Sequence, residues 1–451
     1  MRRVIQYLTV FTVLSVLLTV VSCGGGSGDS TPLMWTWMSG SDTPDQVAVY
    51  SPSVFAIPGG RYGSVSWMDN AGNLWLFGGY VRHGSLGYNY HFNDLWRFDG
   101  TYWTWMSGSD GAFASASYGT MGIPHASNVP GPRVNAISWT DSSGNFWLFG
   151  GSGVGGGDFN DLWKFDGTYW TWMSGSNTVQ QLGVYGTLGV PDASNMPGGR
   201  SYSVSWIDSA DNLWLFGGLG PDGTGLSIRL NDLWKFDGTD WTWMSGSNAF
   251  DQICFYGTKG SPGASNAPGG RVGSVSWIDS ADNLWLFGGS GHAGTTANRN
   301  SLNDLWKFDG TDWTWISGGD TVTNPGIYGT LGVPNASNVP GARTGSVSWI
   351  DSADNLWLFG GSGRDGSGLS GRLNDLWRFD GTNWTWMSGS DTVASPGVYG
   401  TMGSPAASNV PGARTYSVSW IDSAGNFWLF GGVGYDGTLT EFNDLWKYVP
   451  Q

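Results

Sequence analysis

Residues able to do chemistry are sparse in this chain, and they show because most of the sequence repeats. There are four histidines, His83, His91, His125 and His292, one glutamate, Glu441, and two cysteines, Cys23 and Cys254. Clustered histidine, cysteine and carboxylate side chains would make a metal centre, and paired carboxylates would suit acid–base work on sugars. His83, His91 and His125 fall near enough to approach one another, but no dense ligand spacing supports a metal, and no cofactor is expected. Most aspartates occupy repeated turn or strand-start positions; Asp222, Asp365 and Asp436 are exceptions. The cations are more telling. Six arginines (Arg61, Arg133, Arg200, Arg271, Arg343 and Arg414) hold one repeated position, and Arg97 and Arg378 replace a repeated lysine. Beyond the N-terminal Arg2 and Arg3, five remain: Arg82, Arg229, Arg299, Arg364 and Arg372. With His83, Tyr88, Tyr90 and His91 they are the expected ligand-binding set, suited to an anionic or hydroxyl-rich ligand such as a glycan. The chain as a whole is acidic, with 20 Lys+Arg against 35 Asp+Glu, so nucleic acid is not an expected partner.

The background that must position these residues is a repeat typified by NDLWKFDGTDWTWMSGS, from Asn231 to Ser247. Its copies begin at Asn93, Asn160, Asn231, Asn303, Asn374 and Asn443; the last stops at NDLWKYVPQ, while a lone WTWMSGS stands near the front from Trp35 to Ser41. Four short runs of β-formers bounded by Gly, Asn, Asp and Pro make up each unit. They are SVSW (strand a), LWLF (strand b), DLWKF (strand c) and WTWM (strand d), with an Asp-Gly hairpin signal between c and d. The first Trp of strand d recurs at 67 to 72 residue intervals. Six four-stranded antiparallel units at such a period predict an all-β, six-bladed propeller in which Trp35 to Met38 complete the last blade.

The same residues resemble the kelch family of galactose oxidase-like propellers: the Gly pair of LWLFGG, NDLWKF as strand c, the strand d Trp, and an Arg opening strand a. The likeness runs from Trp35 to Lys447, although the period exceeds the usual ~50 residues of kelch. It implies a propeller scaffold that binds a protein or glycan, and a monomer. An enzyme is the alternative, either a copper oxidase or a sugar mutarotase, but the resemblance does not reach the oxidase ligand motifs, and Cys254 is the only thiol in the repeats.

Alternating strand direction puts the short a-to-b and c-to-d turns on one face, and the long b-to-c and d-to-a loops on the other. The five non-repeated arginines, with His83, His91 and His292, lie in b-to-c loops, and His125 lies in a d-to-a loop, so all are expected on the long-loop face. The a-to-b turns read DNAGN, DSSGN, DSADN or DSAGN; exchange of Asp211 for Gly425 at the fourth place suits a positive-φ turn better than a calcium ligand. Each repeated arginine starts strand a where the Asp of NDLW starts strand c, so pairs such as Arg200 with Asp232 are expected. The 30 tryptophans all fall at repeat positions, which makes them blade packing.

Residues 1–22 have the form of a secretory leader, with Arg2 and Arg3 ahead of an apolar stretch from Val4 to Val21. Its end, Val20-Val21-Ser22-Cys23, resembles a bacterial lipobox, which implies cleavage before Cys23, lipidation of that thiol, and a protein secreted and then anchored at the cell envelope membrane. An uncleaved anchor or an ordinary signal peptide remain the alternatives. Residues 23–34 then read as a flexible tether and 35–448 as the propeller.

Overall fold

The computed structural model describes residues 33–51, 55–83, 88–111, 114–221, 227–249, 251–294, 299–435 and 439–450, without the side chains of His83, Tyr88, Ser227, Tyr435 and Leu439. Cys23 and the leader lie outside them, as do Asp222 and Asp436. All regular structure among the described residues is strand.

In the third unit, strand a is Val204–Ile207, b is Leu213–Pro221, c is Ser227–Phe236 and d is Trp241–Ser245, hydrogen-bonded in that order and all antiparallel. The turn between c and d closes because the Asp237 carboxylate accepts the amides of Thr239 and Asp240, each at 2.9 Å, while Gly238 takes φ 95°. The Gly pair after strand b also has a local cause. Gly217 and Gly218 take φ 62° and 101° at a bulge, and a Cβ on Gly218 would lie 2.2 Å from the Ser203 hydroxyl oxygen.

Six such units occur among the described residues, with inner strands Val65–Met68, Ile137–Thr140, Val204–Ile207, Val275–Ile278, Val347–Ile350 and Val418–Ile421. Each inner strand touches the next, and the last touches the first, so the ring is closed. Two side-chain circuits run round it. The Ser66 hydroxyl donates to the Ser419 carbonyl, Ser138 to Ser66, Ser205 to Ser138, Ser276 to Ser205, Ser348 to Ser276 and Ser419 to Ser348, at 3.1 to 3.4 Å. Outside it, the indole N–H of each strand a Trp donates to the strand b Trp carbonyl of the next unit, from Trp67 onto Trp147 round to Trp420 onto Trp75. Aromatic and leucine side chains fill the gaps between blades; Trp139, Trp147 and Phe149, for example, pack with Leu213, Leu215, Trp234 and Trp241. Each such side chain contributes about 1.5–3 kcal/mol of burial, and the tryptophans are spent on this packing.

Strand Trp35–Ser39 pairs with Leu445–Tyr448, Trp35 opposite Tyr448 and Trp37 opposite Trp446, and so supplies the outer strand of the sixth blade. The arginine pairing holds in all six units. Arg61, Arg133, Arg200, Arg271, Arg343 and Arg414 meet Asp94, Asp161, Asp232, Asp304, Asp375 and Asp444 at 2.6–2.8 Å, with both partners buried. Burial opposes the charge on each guanidinium, and the facing carboxylate outweighs it, so each arginine pKa is raised. The same aspartates also accept a Trp indole N–H and a tyrosine hydroxyl; for Asp232 these are Trp234 at 2.7 Å and Tyr185 at 2.8 Å.

The a-to-b turns are structural. Asp208 accepts the Asn212 carboxamide and the Trp214 indole, so its oxygens are already engaged. Asp211, Asp282 and Asp354 take φ 60–62°, and each accepts the serine of the preceding turn, Ser142, Ser209 and Ser280 respectively.

The d-to-a loops correct an expectation. They leave from the long-loop face but then run down the outer edge of the following blade. In the second unit, the Gly122 amide donates to the Trp172 carbonyl at 2.8 Å, His125 bridges Trp170, and the Asn128 carboxamide donates to the Trp170 carbonyl at 2.9 Å. Their near-identity reflects one task, covering a strand edge. His125 therefore sits on the rim, away from His91.

Candidate functional site

The axial mouth on the long-loop face is framed by backbone. The second residue after each repeated arginine has positive φ: Gly63, Asn135, Tyr202, Gly273, Gly345 and Tyr416, between 55° and 66°. Their amides and carbonyls form a closed circuit, each donating to its counterpart in the preceding unit at 2.7–3.1 Å. Glycine takes this conformation freely, whereas a bulky residue there costs roughly 1–2 kcal/mol. Tyr202 and Tyr416 hold it nonetheless, which marks the place where the repeat has been altered. Their rings lie 5.5 Å apart, and Tyr62 is 6.4 Å from Tyr416 and 5.2 Å from Tyr80.

Around this mouth stands a second varied position, two residues before the Asn of each NDLW: His91, Asp158, Arg229, Ser301, Arg372 and Glu441. Arg372 and Glu441 line a cavity of about 290 Å³ together with Arg82, Tyr62, Tyr202 and Tyr416. The Arg82 amide donates to the Glu441 carboxylate at 3.2 Å. Burial, then a hydrogen bond that the protonated carboxyl makes to Asp45, push the Glu441 carboxyl up to about 7, against the opposing pull of the Arg82 amide. Burial also lowers the Arg372 pKa despite the Glu441 charge, and the buried Arg372 Nε has no protein partner. Burial pushes Tyr62 up to about 12 and raises Tyr416. Burial raises Asp158 to about 6, against hydrogen bonds from Ser201 and Ser152. The mouth thus offers neutral phenols, two guanidinium groups and a carboxyl poised to change charge near neutrality.

The expected site residues do not all meet here. Arg82 and Arg372 do. Arg229 donates Nε to the Ser290 carbonyl at 2.9 Å and is tied to the next blade. Arg299 pairs with Asp251 and donates Nε to His292 Nε2 at 3.2 Å, an arrangement that ties its b-to-c loop to the d-to-a loop carrying Asp251. Arg364 donates to the Gly368 carbonyl at 2.8 Å within its loop, and Asp365 is buried under amides from Ser367, Leu369 and Val393. The first b-to-c hairpin divides by strand alternation. His91 lies against Tyr80 at 4.8 Å, whereas Tyr90 lines a separate cavity of about 470 Å³ with Val81, Phe92, Tyr50 and Val47. The side chains of His83 and Tyr88 lie outside the described residues. Glu441, Tyr62, Tyr202 and Tyr416 were not expected in the site. The signal for Tyr202 and Tyr416 was a repeat position that changes among Gly, Asn and Tyr; Glu441 stands at the varied position before NDLW, and Tyr62 at a place otherwise held by Val, Ser or Thr.

The cavity also answers the copper question raised by the galactose oxidase resemblance. No histidine or cysteine lines it. Cys254 is buried elsewhere, accepting the Gly269 amide at 3.0 Å beside Arg271 at 3.1 Å. The described residues do not fit such a centre.

Glu441 sets a pH dependence. Its folded pKa lies above the ordinary glutamate value, so the folded state holds the extra proton and stability falls as pH rises from about 4.5 through about 7. Replacing it by Gln is expected to remove about 1–2 kcal/mol of that fall, after discounting for solvent in the cavity. Denaturant melts of both proteins at pH 5 and pH 8 check this; parallel curves would disprove it.

The scaffold carrying this site is an all-β propeller of antiparallel four-stranded blades. Among solved structures, that of YjhT matches with a TM-score of 0.50 and 15% identity, over 87% of this chain and 96% of its own. A fungal alcohol oxidase of the AA5 family in complex with copper matches with a TM-score of 0.46 and 13% identity, over 89% and 75%. At 15% identity the likeness to YjhT is one of fold alone. No family model matches the chain, and no curated protein does.

Proposed function

We propose that this protein is an envelope-anchored recognition module that binds a glycan, or a protein presenting similar groups, at the axial mouth of the long-loop face. The reading rests on the place where the repeat breaks. Two bulky residues are held at positive φ there, beside Arg372, whose buried Nε lacks a partner. Phenols and guanidinium groups around a cavity of about 290 Å³ suit hydroxyl and carboxylate groups. Lipidation of Cys23 would tether the propeller to a membrane, and loss of membrane association by Cys23→Ala tests that part.

The binding claim is tested on a glycan array and by pull-down. Changing Arg82 and Arg372 together to Ala is expected to weaken the wild-type signal about 10- to 100-fold, the worth of one or two charge-assisted hydrogen bonds, with the melting temperature held. Unchanged binding removes the site. A second reading, an envelope enzyme acting on sugars, draws on the Glu441 carboxyl held near neutrality within reach of guanidinium and phenol groups. Sugar turnover abolished by Glu441→Gln would favour it over simple binding.

A further inference from the structure

Among the described residues, five of the six outer strands are covered by a loop, and one is not. The strand Trp103–Ser107 of the first blade is preceded in the chain by a shortened loop: the stretch from Tyr50 to Arg61 lacks four of the residues that separate Tyr185 from Arg200. It keeps the upper part of the motif. The Tyr50 hydroxyl still meets Asp94 at 2.8 Å, and Val49 still bridges Ile57 as Val184 bridges Met196. The described residues of this loop include no flap that descends the edge. Elsewhere a Gly amide donates to the carbonyl of the second Trp of the outer strand, as Gly189 does to Trp243, and an Asn carboxamide donates to that of the first, as Asn195 does to Trp241. Among the described residues nothing does this for Trp105 and Trp103. The threonine between the two tryptophans reports the difference: Thr36, Thr171, Thr242, Thr314 and Thr385 are buried, and Thr104 is exposed. Met106 is exposed beside it, and Phe55, at the tip of the short loop, is 76% exposed.

We infer that the outer edge of the first blade is a docking site for an extended peptide segment from another polypeptide, one that reproduces the flap chemistry. The other five edges define the occupant. It brings a backbone amide onto the Trp105 carbonyl and a carboxamide side chain onto the Trp103 carbonyl, and it lays small and apolar residues over Thr104. This is strand addition to a free edge, in which the main chain supplies affinity and the Asn supplies register. The site lies on the rim and is separate from the axial mouth.

A labelled peptide with the sequence of residues 185–199 serves as the probe, read by fluorescence anisotropy against the full chain. Saturable binding is expected. Two variants should weaken it by about tenfold or more: Thr104→Lys, which obstructs an exposed surface, and a chain in which residues 51–56 are replaced by the sequence of residues 186–195, which restores the protein's own flap. Absence of saturation, or equal binding by the chain with the restored flap, overturns the inference. Concentration-dependent dimerisation lost on restoring the flap, without peptide binding, would also overturn it and assign the edge to self-pairing.

Discussion

A chain lacking residues 35–41 is expected to lose the cooperative unfolding of the full ring and to aggregate at micromolar concentration. Those residues include the outer strand of the sixth blade. Trp35 is buried against Trp349, Phe359, Trp446 and Tyr448, and its carbonyl accepts the Asn409 carboxamide at 3.2 Å. Removing a buried Trp alone costs about 3–5 kcal/mol, a large share of the 5–15 kcal/mol by which domains are usually stable. The deletion also strips the ladder from Leu445–Tyr448 and leaves a long apolar edge open. Thermal melts with size-exclusion chromatography read the outcome; an unchanged melting temperature would show that closure by this strand is dispensable.

The second large effect concerns one buried pair. Asp375→Ala is expected to destabilise the protein by about 3–5 kcal/mol, because it leaves the Arg343 guanidinium buried without its counter-charge. Two further donors lose their acceptor at once, the Tyr328 hydroxyl at 2.7 Å and the Trp377 indole at 2.7 Å. Replacing the pair together, Arg343→Met with Asp375→Leu, should recover a substantial part, since no charge is then stranded. Guanidinium denaturation of the three proteins decides it. Equal midpoints for the wild type and the single variant would mean that the pair contributes nothing to stability.

The blades were legible because short alternating strands and Asp-Gly turns repeat, and six copies leave little ambiguity in period. Arg200 and Asp232 could be paired from sequence because two repeated opposite charges at the same end of adjacent strands have few other partners. The rim and the mouth were harder. The loops carrying His125 leave from the long-loop face, and sequence does not show that they turn down an edge whose Trp carbonyls need donors. Arg82 and Tyr90 looked like neighbours in one loop, but strand b continues to His83 and strand c begins at Tyr88, so alternation sends them to different cavities. Tyr202 and Tyr416 went unnoticed because a change from Gly carries meaning only once the backbone is known to take positive φ there.

The hydrogen bonds of the Ser66 to Ser419 circuit and of the mouth all point the same way round the ring. Dipoles arranged head to tail about a near six-fold axis cancel in the plane of the ring, and each guanidinium of the six buried pairs is neutralised by its own carboxylate. The scaffold is therefore electrostatically quiet at its centre. A molecule entering the mouth would experience a field written by the varied side chains there, Arg82, Asp158, Arg229, Arg372 and Glu441, so what the propeller prefers could be retuned by a handful of substitutions that leave the ring untouched.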